Sequence, residues 1–340
     1  MKAVVLVGGF GTRLRPLTFT TPKQMLTILH RPMIEHVLDH LARHGITEAV
    51  LSMGYRPDAF SDAYPDGECA GVKLHYAIEP EPLDTAGAIR FAALDAGIDE
   101  RFVVVNGDVL TDLDIGALVD FHVSHGGEGT IALHQVEDPS AFGVVPTEPD
   151  GRVIAFVEKP PREEAPTDLI NAGTYVLEAS VLDRIADGRK VSIEREVFPA
   201  MVAEQALYAM SGDTYWIDTG TPVKYMQSQL DLLDGVRGEP AEGIHASATV
   251  APDAKVSRSV VGPGAVVESG AVVRDSIVLA GAHLGADCVV DRAIVGPSAK
   301  VGSGARIEDL AVLGDRAEVA AGLRVSGGSV GIDEHLTSES

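Results

Sequence analysis

The feature that most constrains the fold is a regular spacing of aliphatic residues in the last third of the chain. From residue 244 to 325, valine, leucine or isoleucine recurs at steps of six residues, with occasional steps of five. Small residues fill the intervals, as in VGPGAV (261–266) and VGSGAR (301–306). This pattern is typical of a hexapeptide β-helix, in which each aliphatic side chain points inward and small residues turn the corners. It predicts a left-handed parallel β-helix.

The first 233 residues follow a different pattern. Short β-branched runs predict strands at residues 3–7, 49–53, 72–78 and 102–105. Between them, apolar residues at helical spacing predict helices at 33–44 and 85–96. This alternation predicts an α/β domain with a Rossmann-like, mostly parallel sheet covered by helices on both faces. Ligands of such sheets bind beyond the carboxyl ends of the strands.

These two patterns predict a domain organisation. The expected segments are a ligand-binding α/β domain at 1–233, a linker at 234–243, the β-helix at 244–330 and a disordered polar tail at 331–340.

Composition excludes several classes of function. With 27 basic against 50 acidic residues and a net charge of −23, the chain would repel a nucleic-acid backbone. The two cysteines, Cys69 and Cys288, are too few and too far apart for a disulfide framework or a thiolate metal cage. No apolar run approaches the ~20 residues that cross a bilayer, and no signal-peptide pattern opens the sequence. We therefore expect a cytoplasmic protein without a membrane or nucleic-acid partner.

Acidic residues are absent from the beginning of this acidic chain. The first is Glu35, whereas an even spread would place five in the first 34 residues. The same stretch holds five basic residues, which are Lys2, Arg13, Arg15, Lys23 and Arg31. A local positive field in a negative chain indicates a site for a strongly anionic ligand.

A glycine-rich loop, GGFGTR (8–13), follows the first predicted strand. It fits neither the dinucleotide fingerprint nor the P-loop. Three glycines after a strand let backbone N–H groups approach a triphosphate without obstruction by a Cβ atom. The plainer alternative is a glycine turn beside two solvated cations.

A series of motifs now carries a family resemblance. The loop continues as VGGFGTRLRPLT (7–18) and PK (22–23), and is followed by EPLDTAGAI (81–89), NGDVL (106–110), FGVV (142–145), EKP (158–160), NAG (171–173) and YWIDTGTP (215–222). In this order and spacing, the motifs resemble those of the sugar-nucleotide pyrophosphorylases, nucleotidyltransferases that act on sugar 1-phosphates. The hexapeptide tail is similar to that of the mannose-1-phosphate guanylyltransferase branch.

The resemblance implies roles for particular residues. Arg13, Lys23, Asp108 and Asp218 would be catalytic, and the two aspartates would hold Mg²⁺. Nucleotide binding would involve Leu6, Gly8, Gly9, Gly11, Thr12, Arg13, Lys23, Glu79, Glu81, Gly87 and Asp108. The sugar phosphate would be bound by Gly143, Glu158, Lys159, Asn171 and Gly173.

The base and the activity class have alternatives. Glu79 and Glu81 favour GTP, because a carboxylate can accept both adjacent donors of guanine. Gln24 after Lys23, and Asp84 in place of the branch's usual glycine, keep UTP, dTTP or ATP with glucose 1-phosphate as alternatives. A non-catalytic regulatory subunit is another. The β-helix is expected to assemble a homo-oligomer and to support the first domain without touching the reacting atoms.

Three histidines occur four residues apart on one predicted helix: His36, His40 and His44. Their spacing would suit a zinc stripe, but a solvated face beside the apolar residues is the favoured interpretation.

Overall fold

The computed structural model describes residues 1–54, 57–236 and 238–337. Its contacts divide the chain into two compact units. The first unit combines Met1–Gly9 with Ile34–Trp216, and the second combines Phe10–Met33 with Ile217–Ser340. The glycine-loop segment after Gly9 is therefore grouped with the C-terminal part of the chain, which the repeat pattern alone did not indicate. The boundaries expected at residues 233 and 244 stay predictions.

The elements before the repeats are short strands and helices in alternation. The strands are β1 (Lys2–Leu6), β2 (Thr27–Ile28), β3 (Arg31–Pro32), β4 (Glu48–Met53), β5 (Glu68–Cys69), β6 (Val72–Ile78), β7 (Phe102–Asn106), β8 (Val109–Thr111), β9 (Gly129–Gln135), β10 (Gly143–Val144), β11 (Val157–Glu158), β12 (Leu169–Leu177), β13 (Leu207–Ser211) and β14 (Trp216–Asp218). The helices are α1 (Met33–Arg43), α2 (Asp58–Ala63), α3 (Asp84–Asp95), α4 (Ile115–His125), α5 (Phe198–Ala203) and α6 (Pro222–Leu233).

The first unit is built on a mixed ten-stranded sheet. Its main path runs β11-β10-β12-β7-β1-β4-β6-β5, and β9 pairs with both β12 and β13. The strands β7, β1, β4 and β6 run parallel to one another, whereas β12 runs antiparallel to β7 and β5 antiparallel to β6. The parallel centre of a Rossmann-like sheet is confirmed.

The central strands are apolar because they are covered on both faces. Residues Ala3, Val4 and Val5 of β1 are completely buried, as are Val103 and Val104 of β7. A strand covered on one face only would alternate apolar with polar residues. The core beside β1 also contains Ala86, Ile89, Ala92 and Ala93 of α3, and the small side chains of the three alanines let the helix lie close to the sheet.

The second unit contains the β-helix. Its strands are β15 (Thr249–Val250), β16 (Lys255–Ser257), β17 (Val260–Val261), β18 (Val266–Val267), β19 (Val272–Arg274), β20 (Ile277–Val278), β21 (His283–Leu284), β22 (Val289–Asp291), β23 (Ile294–Val295), β24 (Lys300–Val301), β25 (Arg306–Glu308), β26 (Val312–Leu313), β27 (Glu318–Val319), β28 (Arg324–Ser326), β29 (Ser329–Val330) and β30 (His335–Leu336). They form three parallel sheets of six, five and five strands. Paired residues lie 17 or 18 positions apart, as in Val250↔Val267 and Val301↔Val319. This arrangement is consistent with a left-handed β-helix.

The corners of the β-helix explain part of its charge pattern. Arg258, Asp275, Arg292 and Asp309 occupy equivalent corners of successive coils with positive φ angles of 45–56°. The guanidinium of Arg258 donates to Asp275 at 2.8 Å, and that of Arg292 donates to Asp309 at 2.7 Å. Alternating charges therefore pair from coil to coil along this corner.

Both ends of the repeat differ from the sequence prediction. Ile244, the first expected inward residue, is 37% exposed and makes only an isolated bridge to Val261. At the other end, a disordered tail was expected from residue 331, but His335 and Leu336 pair with β27. The ladder continues there because the polar sequence still places Leu336 against the apolar interior. Residues 338–340 of the expected tail lie outside the described part.

Within the described residues, no helix combines the length and the apolar character needed to cross a bilayer.

Candidate active site

Three candidate residues follow neighbouring parallel strands. Gly8 lies two residues after β1, Glu79 directly after β6 and Asp108 two residues after β7. The strands β6, β4, β1 and β7 lie side by side and point the same way. Their carboxyl ends therefore meet at one edge of the sheet, which is where α/β sheets bind ligands.

Gly107 allows the NGD motif to approach the end of β1. Its N–H donates to the carbonyl of Leu6 at 3.0 Å. A Cβ atom at this position would lie 2.8 Å from Cγ1 of Val7 and 3.0 Å from the oxygen of Leu6. Only glycine fits without displacement, and the half-buried Asp108 is thereby held beside the start of the glycine loop.

Glu79 and Glu81 have different surroundings. The Oε1 atom of Glu79 accepts a hydrogen bond from Ser52 Oγ at 3.1 Å, and Oε2 accepts one from the N–H of Leu83 at 3.1 Å. A Cβ atom on Gly8 would lie 3.5 Å from Glu79 Oε1, so the anchored carboxylate faces the glycine loop. Glu81 is exposed.

Asp84, which stands where the branch's usual motif has glycine, has a backbone conformation that glycine adopts readily. It begins α3 at φ 61°, in the left-handed region that aspartate tolerates better than most residues. Its Oδ1 atom accepts from the N–H of Thr85 at 2.8 Å. Aspartate in place of the branch's usual glycine is therefore compatible with the positive φ angle at this position.

Gly87 serves close packing inside α3. A Cβ atom there would lie 2.8 Å from Cβ of Leu83 and 3.2 Å from the carbonyl oxygen of Arg189. The N–H groups of Ala86 and Gly87 both donate to the carbonyl of Val191. The structure thus gives Gly87 a packing role, and its expected nucleotide contact stays a prediction.

The first group of sugar-phosphate candidates lies on the hairpin of β10 and β11. Gly143 pairs directly with Glu158, and a Cβ atom on Gly143 would lie 3.1 Å from Glu158 Oε2 and within 2.7 Å of the Phe156 ring. Lys159 follows with φ 49° and is exposed, and its Nζ atom lies 2.9 Å from Glu158 Oε1. Gly143, the carboxylate of Glu158 and the exposed ammonium of Lys159 therefore lie close together.

The second group lies on β12. The side chain of Asn171 donates to the hydroxyl of Tyr175 at 2.9 Å and accepts from the N–H of Gly173 at 2.9 Å. Gly173 has φ 73°, and a Cβ atom there would collide with the side chain of Asn106 in the NGD motif. The pairing of β12 with β9 shifts register here, which bends the NAG motif towards Asn106.

An aromatic group beside NAG was not predicted as a unit. Trp216 donates from Nε1 to the carbonyl of Ala172 at 2.8 Å, and its ring stacks on His134 with centroids 5.3 Å apart. Phe142 meets the other side of Trp216 edge-on at 5.5 Å. Trp216 therefore packs within this aromatic group. His134 carries no motif in the sequence that could have identified it.

In the second unit, the glycine loop is closed by local contacts. Gly11 has φ 58°, and a Cβ atom there would lie 2.9 Å from Thr18 Cγ2 and 3.3 Å from Lys23 Cβ. The hydroxyl of Thr18 donates to the carbonyl of Gly11 at 2.7 Å. The loop therefore folds back so that Lys23 lies beside Gly11.

Arg13 and Asp218 also meet in the second unit. The Nη2 atom of Arg13 lies 3.8 Å from Asp218 Oδ2, with the two side chains 63% and 26% exposed. The N–H of Gly220 donates to Asp218 Oδ1 at 2.8 Å, and a Cβ atom on Gly220 would lie 2.6 Å from Arg13 Nη2. WIDTG is thus the segment that orients an exposed guanidinium.

The donor set suits a hard divalent cation. Asp108 and Asp218 offer carboxylate oxygens, and Mg²⁺ binds few protein carboxylates together with waters and substrate phosphates. Among the residues that the structure describes, no three His, Cys, Asp or Glu side chains form a cluster that could hold a metal by themselves. Asp108 belongs to the first compact unit and Asp218 to the second.

Comparison with protein families gives two matches in chain order. Residues 2–235 match the family described as "Nucleotidyl transferase", and residues 239–339 match the "GMPPB C-terminal domain". The chain belongs to the nucleotidyl transferase family. The enzyme therefore carries the activity class that its motifs predicted, and the family resemblance is confirmed. Enzymes of this family use a divalent metal, in agreement with the carboxylate candidates.

Relatives resemble the enzyme along most of its length. The mannose-1-phosphate guanylyltransferase of Mycobacterium tuberculosis is 41% identical over 84% of this chain and 82% of its own. The probable mannose-1-phosphate guanylyltransferase 3 of Oryza sativa subsp. japonica is 38% identical over 97% of this chain and 95% of its own. Among solved structures, a putative glucose-1-phosphate thymidylyltransferase from Bacillus anthracis is 25% identical, with a TM-score of 0.61 over 67% of this chain and 94% of its own. The predicted fold class is confirmed.

Proposed function

We propose that the enzyme is a Mg²⁺-dependent mannose-1-phosphate guanylyltransferase, which converts GTP and mannose 1-phosphate into GDP-mannose and pyrophosphate. The observation that carries the proposal is the resemblance to named guanylyltransferases across both parts of the chain, including 97% coverage at 38% identity. The site residues support the same reaction class, because anionic substrates need the cationic and backbone donors of the glycine loop.

The reaction is a direct displacement at phosphorus. An oxygen of the sugar phosphate attacks the α-phosphorus of GTP, and a new P–O bond forms as the α–β bridging bond breaks. The bond's electron pair leaves with pyrophosphate. No covalent bond to the enzyme is required, so catalysis rests on positioning and on neutralising charge.

The chain's cations divide this task. The exposed Arg13, oriented by Asp218, binds the phosphates that leave as pyrophosphate. Lys23, held beside Gly11, stabilises the charge that develops on the α-phosphate. The N–H groups after β1 bind the remaining phosphate oxygens without obstruction by side chains. The absence of acidic residues before Glu35 protects this positive field.

Asp108 and Asp218 are the residues that would hold Mg²⁺. A divalent ion held there would offset negative charge on the phosphates.

Glu79 is the stronger candidate for reading guanine. Ser52 and the N–H of Leu83 fix its carboxylate, yet each oxygen retains a second lone pair for N1–H and N2–H₂ of the base. Because the Glu79 carboxylate is already held in place, it loses less conformational freedom on binding than the exposed Glu81 side chain would. We therefore assign the contact to the base to Glu79.

The sugar phosphate would bind along β10, β11 and β12. Lys159 supplies an exposed ammonium for the phosphate, and Glu158 accepts hydrogen bonds from sugar hydroxyls. Gly143 would contribute to this site by letting Glu158 and the ring of Phe156 pack closely against β10. Asn171 uses its amide within β12, so its contribution would come from keeping the NAG bend in shape.

Assembly and location complete the proposal. The first and last strands of the β-helix's largest sheet, β15 and β30, each have one partner strand, and such edges favour association. This supports a homo-oligomer formed through the β-helix. Neither Cys69 nor Cys288 forms a disulfide, as is usual in a reducing compartment, which supports a cytoplasmic enzyme.

The test is pyrophosphate release with four nucleotides, GTP, UTP, dTTP and ATP, each combined with mannose 1-phosphate or glucose 1-phosphate. We expect GTP with mannose 1-phosphate to give the highest kcat/KM, by roughly 100-fold over the other bases. A preference for UTP, dTTP or ATP would contradict the base assignment. No turnover with any pair would favour the regulatory-subunit alternative.

A further inference from the structure

The segment that carries Lys23 ends in a short hairpin in the second unit. Strands β2 and β3 pair through Thr27↔Pro32 and Ile28↔Arg31. The N–H of Leu26 donates to the carbonyl of Lys23 at 3.1 Å, and the N–H of Met33 donates to the carbonyl of Leu26 at 2.9 Å. The hairpin therefore fixes the backbone on which Lys23 stands.

Two buried side chains of α6 hold this hairpin. The N–H of Leu29, at the turn with φ 56°, donates to Gln229 Oε1 at 3.0 Å. The hydroxyl of Tyr225 donates to the carbonyl of Thr27 at 2.7 Å. Gln229 and Tyr225 are both 0% exposed and lie one helical turn apart on α6. Two backbone groups of the hairpin thus have specific partners 198 and 200 residues further along the chain.

The polar character of Gln229 is not needed for apolar packing. A leucine of similar size would fill the same interior position. It would also leave the N–H of Leu29 without its acceptor, so this bond would no longer fix the position of the turn. The hydrogen bond made by the Gln229 side chain therefore fixes the position of the hairpin.

The other end of α6 is tied to the β-helix. The guanidinium of Arg258 binds Asp234 through contacts of 2.6–3.0 Å, and the N–H of Ala241 donates to the carbonyl of Leu232 at 2.9 Å. On the hairpin itself, the ring of His30 meets the ring of His245 edge-on at 5.0 Å. The hairpin is thus supported by α6 and by the first residues of the β-helix.

We infer that Gln229 is a positioning residue for Lys23, acting through the β2–β3 hairpin, and that α6 links the β-helix to the phosphate-binding loop. This inference rests on the proposed function of Lys23. A small displacement of the hairpin would move the ammonium away from the α-phosphate. Because a misplacement of about 1 Å can cost on the order of 100-fold in rate, the effect should appear in kcat.

The experiment compares Gln229→Leu with Gln229→Glu, which retains an acceptor oxygen. We expect Gln229→Leu to lower kcat by roughly 10- to 100-fold while KM for GTP changes by less than about threefold. Gln229→Glu should retain more of the rate than Gln229→Leu as the pH is lowered, because the buried carboxyl is then protonated and its carbonyl oxygen accepts from the N–H of Leu29. Ser228→Ala is the matched control, because Ser228 is also buried on α6 but its hydroxyl bonds only within the helix, to Tyr225.

A double-variant measurement separates positioning from general destabilisation. In a Lys23→Ala background, Gln229→Leu should lower kcat by less than about twofold, since the group that it positions is already absent. If the two losses multiply in full, or if Gln229→Leu leaves kcat unchanged, the inference is wrong. If Gln229→Leu does not fold, Tyr225→Phe removes the second hairpin contact and must give the same non-additivity with Lys23→Ala.

Failure of the proposed function is distinguished by the wild-type enzyme. The wild-type panel identifies the best substrate pair before any variant is tested. A preferred pair other than GTP and mannose 1-phosphate overturns the substrate assignment alone, because Lys23 has the same role with any nucleotide. If the wild-type enzyme turns over none of the substrate pairs, both proposals are wrong.

Discussion

Arg13 Nη2 lies 3.8 Å from Asp218 Oδ2, and the residue beside this pair, Gly220, has no side chain to separate them. A basic residue from the glycine loop and an acidic residue more than 200 positions later thus belong to one local arrangement. At this distance between partly exposed groups, the pair contributes little to stability. It holds an exposed cation close to the carboxylate that we propose as a metal ligand.

Asp108→Asn and Asp218→Asn should each reduce turnover by roughly 100-fold or more, because each removes a negative charge that binds the divalent ion. In Asp218→Asn, the amide oxygen can still accept from the N–H of Gly220, so the local backbone should be preserved. Pyrophosphate release at several Mg²⁺ concentrations measures the effect, and thermal unfolding checks the fold. Near-normal activity at low Mg²⁺ would remove that aspartate from the metal site.

Glu79→Gln should weaken the preference for GTP by about 1–3 kcal/mol, because an amide presents a donor to a donor of guanine. Glu81→Gln is the matched control: the same change on an exposed residue two positions away should leave the preference unaltered. The ratio of kcat/KM for GTP to that for UTP measures both. A larger loss in Glu81→Gln would reverse the assignment.

The sequence predicted the elements that depend on local patterns. The strand predicted at 72–78 coincides with β6, and the helix predicted at 33–44 differs from α1 by one residue. The six-residue spacing predicted the β-helix because each inward position is specified by one aliphatic residue. Gly107 and Gly143 also lie in motifs where a neighbouring group comes close to the backbone. The neighbour is the backbone of Leu6 at Gly107 and the ring of Phe156 at Gly143.

The contacts that the sequence did not predict join residues far apart in the chain. Nothing near Gln229 distinguishes it from a solvated glutamine, yet it is 0% exposed and bonded to Leu29. His40 was expected on a solvated face and is 9% exposed. Helical spacing gives the face of a helix, but tertiary packing decides how wide the buried part of that face is.

The burial of His40 should make stability depend on pH. Desolvation, aided by His44 and Arg43, lowers the pKa of His40 from 6.5 to about 4. The neutral ring therefore contributes stability that is fully present above about pH 6.5 and is lost as the pH falls towards 4. Between pH 7 and 5 this loss is about 2 kcal/mol.

His40→Gln should reduce the difference between the free energies of unfolding at pH 7 and pH 5, measured by urea denaturation. Part of the pH dependence should remain, because burial also lowers the pKa values of His122 and His134. His75→Gln is the control, since His75 is exposed and paired with Asp95. An unchanged difference in His40→Gln would contradict the buried neutral ring.

Truncation after residue 236 should change the oligomeric mass seen by light scattering, because it removes the β-helix. The truncated enzyme should keep the nucleotide preference of the full chain, since Glu79 and its partners Ser52 and Leu83 all lie in the first unit. Its kcat should fall but remain measurable, because α6 is retained without its contact to Arg258 and the β2–β3 hairpin without its contact to His245. A folded truncation that binds GTP without any turnover would place a catalytic element in the β-helix.

Arg258→Ala tests the link between the β-helix and α6 in the full-length chain. Arg258 binds Asp234 at the end of α6 and Asp275 on the next coil, with a side chain that is 40% exposed. Losing such a pair should cost at most about 1 kcal/mol of stability, so the variant should fold. We expect kcat to fall by roughly 2- to 5-fold, because α6 supports the hairpin that follows Lys23. Arg292→Ala is the control, since Arg292 makes the equivalent corner contact to Asp309 but none to α6. If both variants lower kcat equally, the effect belongs to β-helix stability and the link through α6 is wrong.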